Sequence, residues 1–195
     1  HPTFEEQFNP KKPPTMEVGG HKLPYIRLVP EAEKITSDIP VVVATGLTES
    51  ENHLRNLLNK LYEDGRVVLF ARQPRKNLKL ETPTDLPATQ KNIPQAQEQK
   101  IAVTEALIQE ALATAPTDRE GKMPQKVDIL GRSDGSANGT FAAERQRKKV
   151  QNLILVDGKH VNANGTRDLT TDFIRFALKT PWNTIRHHEG NTHIP

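Results

Sequence analysis

Short, unbroken apolar runs are the clearest pattern along the chain. Val41-Val42-Val43-Ala44, Val67-Val68-Leu69-Phe70-Ala71, Val127-Asp128-Ile129-Leu130 and Leu153-Ile154-Leu155-Val156 show no strict alternation with polar residues. Strands buried on both faces, as in parallel sheets, produce this pattern. Between the first two runs, residues 50–64 (SENHLRNLLNKLYED) carry Leu54, Leu57, Leu58 and Leu61 at helical spacing. Ser50 is placed to cap that helix by accepting a free backbone N–H, and Gly65 to end it. A β–α–β unit is therefore predicted over 41–71.

Further elements follow the same logic. Residues 96–113 (AQEQKIAVTEALIQEALA) predict a helix, and residues 136–149 another. Residues 16–29 (MEVGGHKLPYIRLV) predict two short strands around the turn Gly19-Gly20. The Pro-rich stretch 72–95 predicts irregular structure. Such alternation indicates an α/β fold, with a mostly parallel central sheet and helices on both faces. Residues 1–15 (HPTFEEQFNPKKPPT) are polar and Pro-rich and predict an extended N-terminal arm. Residues 16–195 form the single domain expected for this length.

Composition narrows the function classes. About a third of the residues, 34%, are hydrophobic, which suffices for a modest core. No stretch approaches the ~20 apolar residues of a membrane span. The 27 Lys+Arg against 24 Asp+Glu leave a formal net charge of +3. The densest basic cluster, Arg145-Gln146-Arg147-Lys148-Lys149, reads as a solvated helix end, where cations are favoured. Few aromatic residues interleave with these charges to stack on bases, so no nucleic-acid partner is expected. The chain has no cysteine, which excludes disulfides and thiolate chemistry. It lacks an initiator Met, so removal of a leader or tag is expected. Composition allows a soluble protein in the cytoplasm or one secreted after leader removal, and leaves the oligomeric state open.

One motif carries chemistry. Gly131-Arg132-Ser133-Asp134-Gly135 follows a predicted buried strand and precedes a predicted helix. G-x-S-x-G in that context reads as a nucleophile elbow, with a plain glycine turn as the alternative. The serine occupies a sharp turn above the strand ends, its flanking positions must be small, and the helix N-terminus favours developing negative charge. Ser136-Ala137-Asn138-Gly139 supply the small residues that let helix and strand approach. Ser133 is thus the candidate nucleophile.

The run Asp128-Ile129-Leu130-Gly131-Arg132-Ser133-Asp134-Gly135 resembles the elbow of the α/β-hydrolase family, in the branch carrying G-x-S-D-G. That branch includes esterases and proline iminopeptidases, and the preceding order of elements resembles the family as well. The resemblance implies a serine hydrolase acting on a small-molecule carboxylic ester, less readily an amide, through an acyl-enzyme and without a cofactor. Gly190-Asn191-Thr192-His193 resembles the family's Gly-x-x-His turn, which implies His193 as the base, with a short strand at 183–189 before it. Gly165-Thr166-Arg167-Asp168 resembles the Gly-x-x-Asp turn, which implies Asp168 as the acid, followed by a helix over 171–179. Asp157, at the end of the fourth apolar run, is the alternative acid. The implied oxyanion donors are the backbone N–H groups of Asp134 and of Leu47, in the loop Thr45-Gly46-Leu47.

The chain departs from the family pattern in places. Thr45 stands where most members have His, and Ala71-Arg72-Gln73-Pro74 replaces an aspartate and Gly-rich turn. If 159–164 is also a strand, too few residues join it to Leu153–Val156 for a parallel crossover. The lid is therefore expected to be absent, unless the segment before Asp168 is not a regular strand or part of the natural chain is missing, and the family's last helix is expected to be absent because the sequence stops two residues beyond His193. These departures keep open a second reading, a non-catalytic α/β-hydrolase-like ligand- or protein-binding domain.

Two rival motifs fail on spacing or placement. His187-His188-Glu189 with His193 is one residue too long for the zinc spacing His-Glu-x-x-His, and Gly190-Asn191 would break the required helix, so no metal is expected. Asn138-Gly139-Thr140 and Asn164-Gly165-Thr166 match the glycosylation pattern, but Asn138 is predicted to lie on the packed helix behind the nucleophile.

Overall fold

The four apolar runs form the centre of a six-stranded sheet in the computed structural model, which describes residues 1–44, 51–74, 76–81, 83–117, 121–132, 135–156 and 183–187. In chain order the strands are β1 (Thr15–Val18), β2 (His21–Pro24), β3 (Ile26–Leu28), β4 (Val41–Ala44), β5 (Val68–Phe70), β6 (Val127–Arg132), β7 (Val150–Val156) and β8 (Asn183–His187). The α-helices are α1 (Phe4–Phe8), α2 (Glu51–Glu63), α3 (Gln95–Thr114) and α4 (Gly135–Arg145). The sheet order is β3-β5-β4-β6-β7-β8. Only β3 runs antiparallel, against β5, and the other neighbours are parallel. β1 and β2 form a separate antiparallel hairpin, closed by Gly19 and Gly20 at positive φ.

Alternation along each central strand sorts side chains to two cores. Val41, Val43, Val68, Phe70 and Leu130 pack with Leu54 and Leu58 of α2 and with Phe4 and Phe8 of α1. Val42, Ala44, Leu69, Ile129, Leu153 and Leu155 pack with Ile101, Leu107 and Ile108 of α3 and with Phe141 of α4. Helices thus cover both faces of the sheet. Each fully buried Val, Leu, Ile or Phe contributes ~1.5–3 kcal/mol relative to its exposed state. Gly65, at φ +78, follows α2 closely, and an added Cβ there would lie 2.1 Å from the Lys34 carbonyl oxygen. Among the described residues no helix is long and apolar enough to cross a membrane.

Three local expectations are corrected. Residues 1–15 do not begin as an extended arm, because Phe4–Phe8 is a helix with a complete capping box. The Glu6 backbone N–H donates to Thr3 Oγ1 (3.3 Å), and the Thr3 N–H donates to the Glu6 carboxylate (2.8 Å). Phe4 stacks on Phe8, with ring centroids 5.3 Å apart, and the Arg55 guanidinium lies over the Phe8 ring. The spacing Thr3-x-x-Glu6 with aromatics at i and i+4 carries that helix signal, but the surrounding prolines mask it.

The helix predicted over 136–149 ends at Arg145. A short 3₁₀ turn over Arg147–Lys149 follows, and β7 begins at Val150, earlier than predicted. Arg145 is also not on a solvated helix end. Its side chain is 6% exposed and grips Glu98 through two hydrogen bonds of 2.5 and 2.7 Å. A basic run in sequence does not reveal which of its members faces another helix.

β7 pairs directly and in parallel with β8. Residues 157–182 connect them, long enough for the crossover of a dozen or more residues that parallel neighbours need. The candidate strand at 159–164, the helix predicted at 171–179 and the segment in which a lid would lie all fall outside the described residues.

Candidate active site

The passage from β6 to α4 occupies two residues. β6 ends at Arg132 and α4 starts at Gly135, so Ser133 and Asp134 alone separate strand from helix. Such an abrupt reversal brings the helix start back against the strand. A Cβ at Gly131 would lie 2.7 Å from the Gly135 carbonyl oxygen and 2.8 Å from the Ser136 Cα, both backbone atoms that cannot yield. One turn further, a Cβ at Gly139 would lie 3.1 Å from Ile129 Cγ2 and 3.4 Å from Ala44 Cβ. Glycine at both positions therefore permits the close approach that the elbow motif implies.

One hydroxyl ties the start of α4 to the end of β6, and a second braces the first turns of the helix. Ser136 Oγ, buried, donates to the Gly131 carbonyl (3.2 Å), and Thr140 Oγ1 donates to the Ser136 carbonyl (2.7 Å). Asn138 is fully buried and accepts a hydrogen bond from the Gln97 side-chain amide, which links α4 to the start of α3. A buried asparagine is closed to glycosylation. The Ser136 staple and the Gln97–Asn138 link had no sequence signal, since each joins residues whose meeting depends on the packed fold.

Strand order places this turn at the point where ligands bind in open α/β sheets. From β4 the chain proceeds to β5 on one side, and then returns to place β6 on the other. β4 and β6 thus flank a topological switch, and a crevice opens at the carboxyl ends of strands that part in this way. Ala44, the last residue of β4, is in register with Gly131. On the other side Arg132 is in register with Val156, and Val156 with His187. Four strand ends therefore finish at one edge, and the segments starting at 45, 133, 157 and 188 all leave from it. α4, eleven residues long, turns its N-terminus to the same edge, where its dipole favours negative charge.

The predicted site residues themselves lie outside the described residues: Leu47, Ser133, Asp134, Asp157, Asp168 and His193. The structure assembles the elements from which they issue. Leu47 belongs to the segment between β4 and α2, and Asp157 is the residue following β7. Asp168 lies in the connection from β7 to β8, and His193 follows β8.

A buried carboxylate at the other end of β6 has a different role. Asp128 accepts from Arg66 Nη2 (2.5 Å) and from Asn152 Nδ2 (2.8 Å), while Arg66 also reaches the Ile39 carbonyl (3.0 Å). Asp128 lies five residues before Ser133, ~16 Å along an extended strand. It ties β6 to its surroundings at the edge opposite the elbow. Among the described residues, no group of three or more His, Asp or Glu side chains is placed to hold a metal ion.

Comparison with solved structures identifies the architecture. The chain is similar to Est1E from Butyrivibrio proteoclasticus, with a TM-score of 0.53 and 15% identity over 75% of this chain and 51% of that one. It is similar to a proline iminopeptidase from Mycobacterium smegmatis, with a TM-score of 0.52 and 20% identity over 76% and 44%. A serine hydrolase without a lid from Xanthomonas campestris aligns over 93% of this chain and 86% of its own, with a TM-score of 0.55 and 15% identity. The chain spans about half the length of the first two. No family model and no curated protein matches the sequence.

Proposed function

From the α/β-hydrolase fold as premise, we propose that this chain is a serine hydrolase that cleaves a carboxylic ester, less readily an amide, through an acyl-enzyme. The observation that supports the reading is the start of α4, two residues after the end of β6, packed against Gly131 at a topological switch point. A helix that starts two residues after a strand and packs back on it leaves room for little beyond glycine at its flanks, and a glycine pair bracketing a serine is what a nucleophile elbow requires. The hydrolytic names of the neighbours agree with it, among them an iminopeptidase and a serine hydrolase without a lid.

In this reading His193 takes the Ser133 proton as Ser133 Oγ attacks the ester carbonyl. Negative charge builds on the carbonyl oxygen, where the backbone N–H groups of Leu47 and Asp134 stabilise it. The α4 dipole adds to that stabilisation. His193 then returns the proton to the leaving alcohol. Water, deprotonated by the same histidine, releases the acid from Ser133. Asp168 holds the imidazole in the required tautomer, with Asp157 as the alternative acid. No cofactor enters the scheme.

A fluorophosphonate probe tests it. The native chain is expected to be labelled and Ser133→Ala not at all. Absence of labelling of the native chain would leave the non-catalytic binding domain as the reading, and equal labelling of Ser133→Ala would reject Ser133 as the nucleophile. The acid is assigned by comparing Asp168→Asn with Asp157→Asn. The true partner should lower kcat by roughly 10⁴-fold through the wrong histidine tautomer, and the other should change it little.

A further inference from the structure

The sheet ends at β3, which pairs on its inner side with β5. An end strand turns a row of backbone N–H and carbonyl groups outward, where another strand can pair with them. Two positions in this row are marked by their bonds. The Tyr25 N–H donates to the Pro14 carbonyl (3.0 Å), and the Val29 N–H donates to the Gln7 side-chain oxygen (2.7 Å). Backbone groups alternate in direction along a strand. Those of Tyr25, Arg27 and Val29 therefore point outward, and those of Ile26 and Leu28 point to β5.

The segment before β1 covers this row without joining it as a strand. The bond at Tyr25 extends the β1–β2 register, in which Thr15 pairs with Pro24, by one pair. Further extension would set Lys12 opposite Arg27 and Pro10 opposite Val29. Like charges directly opposite repel, and Pro10 lacks the N–H that the Val29 carbonyl would need. Traced towards the N-terminus, the chain leaves the edge after Pro14, with Lys11 and Lys12 exposed. It arches over a space of about 250 Å³ whose lining includes Phe8, Pro10, Pro13, Tyr25, Ile26 and Phe70. It then returns as α1. There the Gln7 amide stands in for a neighbouring peptide group, accepting from the Val29 N–H and donating to the Val29 carbonyl (3.0 Å). Phe4 and Phe8 hold α1 in place by packing in one cluster with Leu28 and Leu54.

We propose that the outward edge of β3 is a pairing surface for the same edge of a second copy of this chain, held closed by residues 1–14. The inference does not depend on the serine-hydrolase reading. The row is bounded by the β1–β2 hairpin before Tyr25 and by Pro30 after Val29, so it admits a strand of its own short length. A second copy presents such a strand. Antiparallel pairing about a two-fold axis at Arg27 sets Tyr25 opposite the second copy's Val29 and Val29 opposite its Tyr25, each pair exchanging two hydrogen bonds. That pairing gives Val29 the same bonds that Gln7 now makes, so the two covers exclude each other. It also sets Arg27 opposite itself, a repulsion that weakens the pairing.

Sedimentation velocity on the full chain tests this. Phe4→Ala with Gln7→Ala opens the edge and should lower the dimer Kd about ten-fold or more, because two hydrogen bonds no longer compete for Val29. Adding Arg27→Thr removes the opposed charges and should lower it by up to about five-fold further. Adding Arg27→Pro instead should return the opened chain to monomer. That change removes an outward N–H and leaves the bonds between β3 and β5 in place. Hydrogen exchange places the contact. The Tyr25 and Val29 amides of the opened chain should gain protection as concentration rises, and those of the Arg27→Pro variant should not.

An opened chain that stays monomeric, or a dimer that Arg27→Pro does not weaken, overturns the proposal. A native chain that pairs as tightly as the opened one overturns closure by residues 1–14. If thermal melting shows that the variant with Phe4→Ala does not fold, Gln7→Ala with Arg27→Thr leaves both aromatic rings in the core. It carries the same expectation, with Gln7→Ala and Arg27→Pro as its control, and its failure to dimerise rejects the edge.

Discussion

Gly131 shows how much a single residue decides here. The atoms closest to its missing Cβ are backbone atoms of the helix start, at 2.7 and 2.8 Å, so no rotamer change can relieve a methyl group. Gly131→Ala should therefore force β6 and α4 apart. The expected cost is about 3 kcal/mol, at the upper end of overpacking, seen as a fall of roughly 6–12 °C in Tm. If the elbow is the nucleophile turn, fluorophosphonate labelling should fall as well, even in the folded fraction. A variant as stable and as well labelled as the native chain would show that the turn is not tight.

At the scale of elements, α1 adds a wall to the fold through one capping box and two aromatic rings. The Thr3 backbone N–H and hydroxyl hold the Glu6 carboxyl below its usual value of 4.5. A carboxyl depressed in the folded state stabilises above its unfolded pKa and loses that contribution as pH falls through the folded value. Amide-exchange protection of Gln7 and Asn9, whose N–H groups donate to the Thr3 and Glu5 carbonyls, should therefore fall as the solution is acidified below pH 4.5. Thr3→Ala should be less protected at neutral pH and lack that acid step. An acid step that persists in Thr3→Ala would assign the pH response to another group. The short length of α1, five residues, makes its docking dependent on Phe4 and Phe8, because an isolated helix of that size does not persist in water.

On the scale of the whole molecule, one charged centre ties three parts of the chain together. Arg145, at the end of α4, bonds Glu98 of α3 through both terminal nitrogens, and its Nε donates to Gln90 (2.6 Å) in the Pro-rich connection. Burial opposes the arginine's charge, but Glu98 and Glu105 outweigh it and raise its pKa above the ordinary value, so it stays protonated. Arg145→Met would leave the Glu98 carboxylate buried without its partner, at an expected cost of ~3–5 kcal/mol. Arg145→Met with Glu98→Met should recover most of that loss in a denaturant titration. If the double variant is as unstable as the single one, the pair itself, and not the stranded charge, stabilises the fold.

What the sequence alone determined is local. The apolar runs at 41–44, 67–71, 127–130 and 153–156 specify buried strands, because a residue on either face of a covered sheet must be apolar. Gly131 specifies a close approach of α4 to β6, because no side chain fits between them there. Tertiary structure decided what depends on meetings between distant segments. It set the strand order and so placed the β6–α4 junction at a switch point, since a run of valines carries no information about its neighbour. It took Phe8 from a Pro-rich segment into the core, and Arg145 from a basic run into a buried pair, because burial is a property of what packs against a residue. The candidate site divides the same way. Ser133 is proposed from the residues around it, whereas the proposed Asp168, Asp157 and His193 depend on how the chain returns to the β6–α4 junction, which no local pattern encodes.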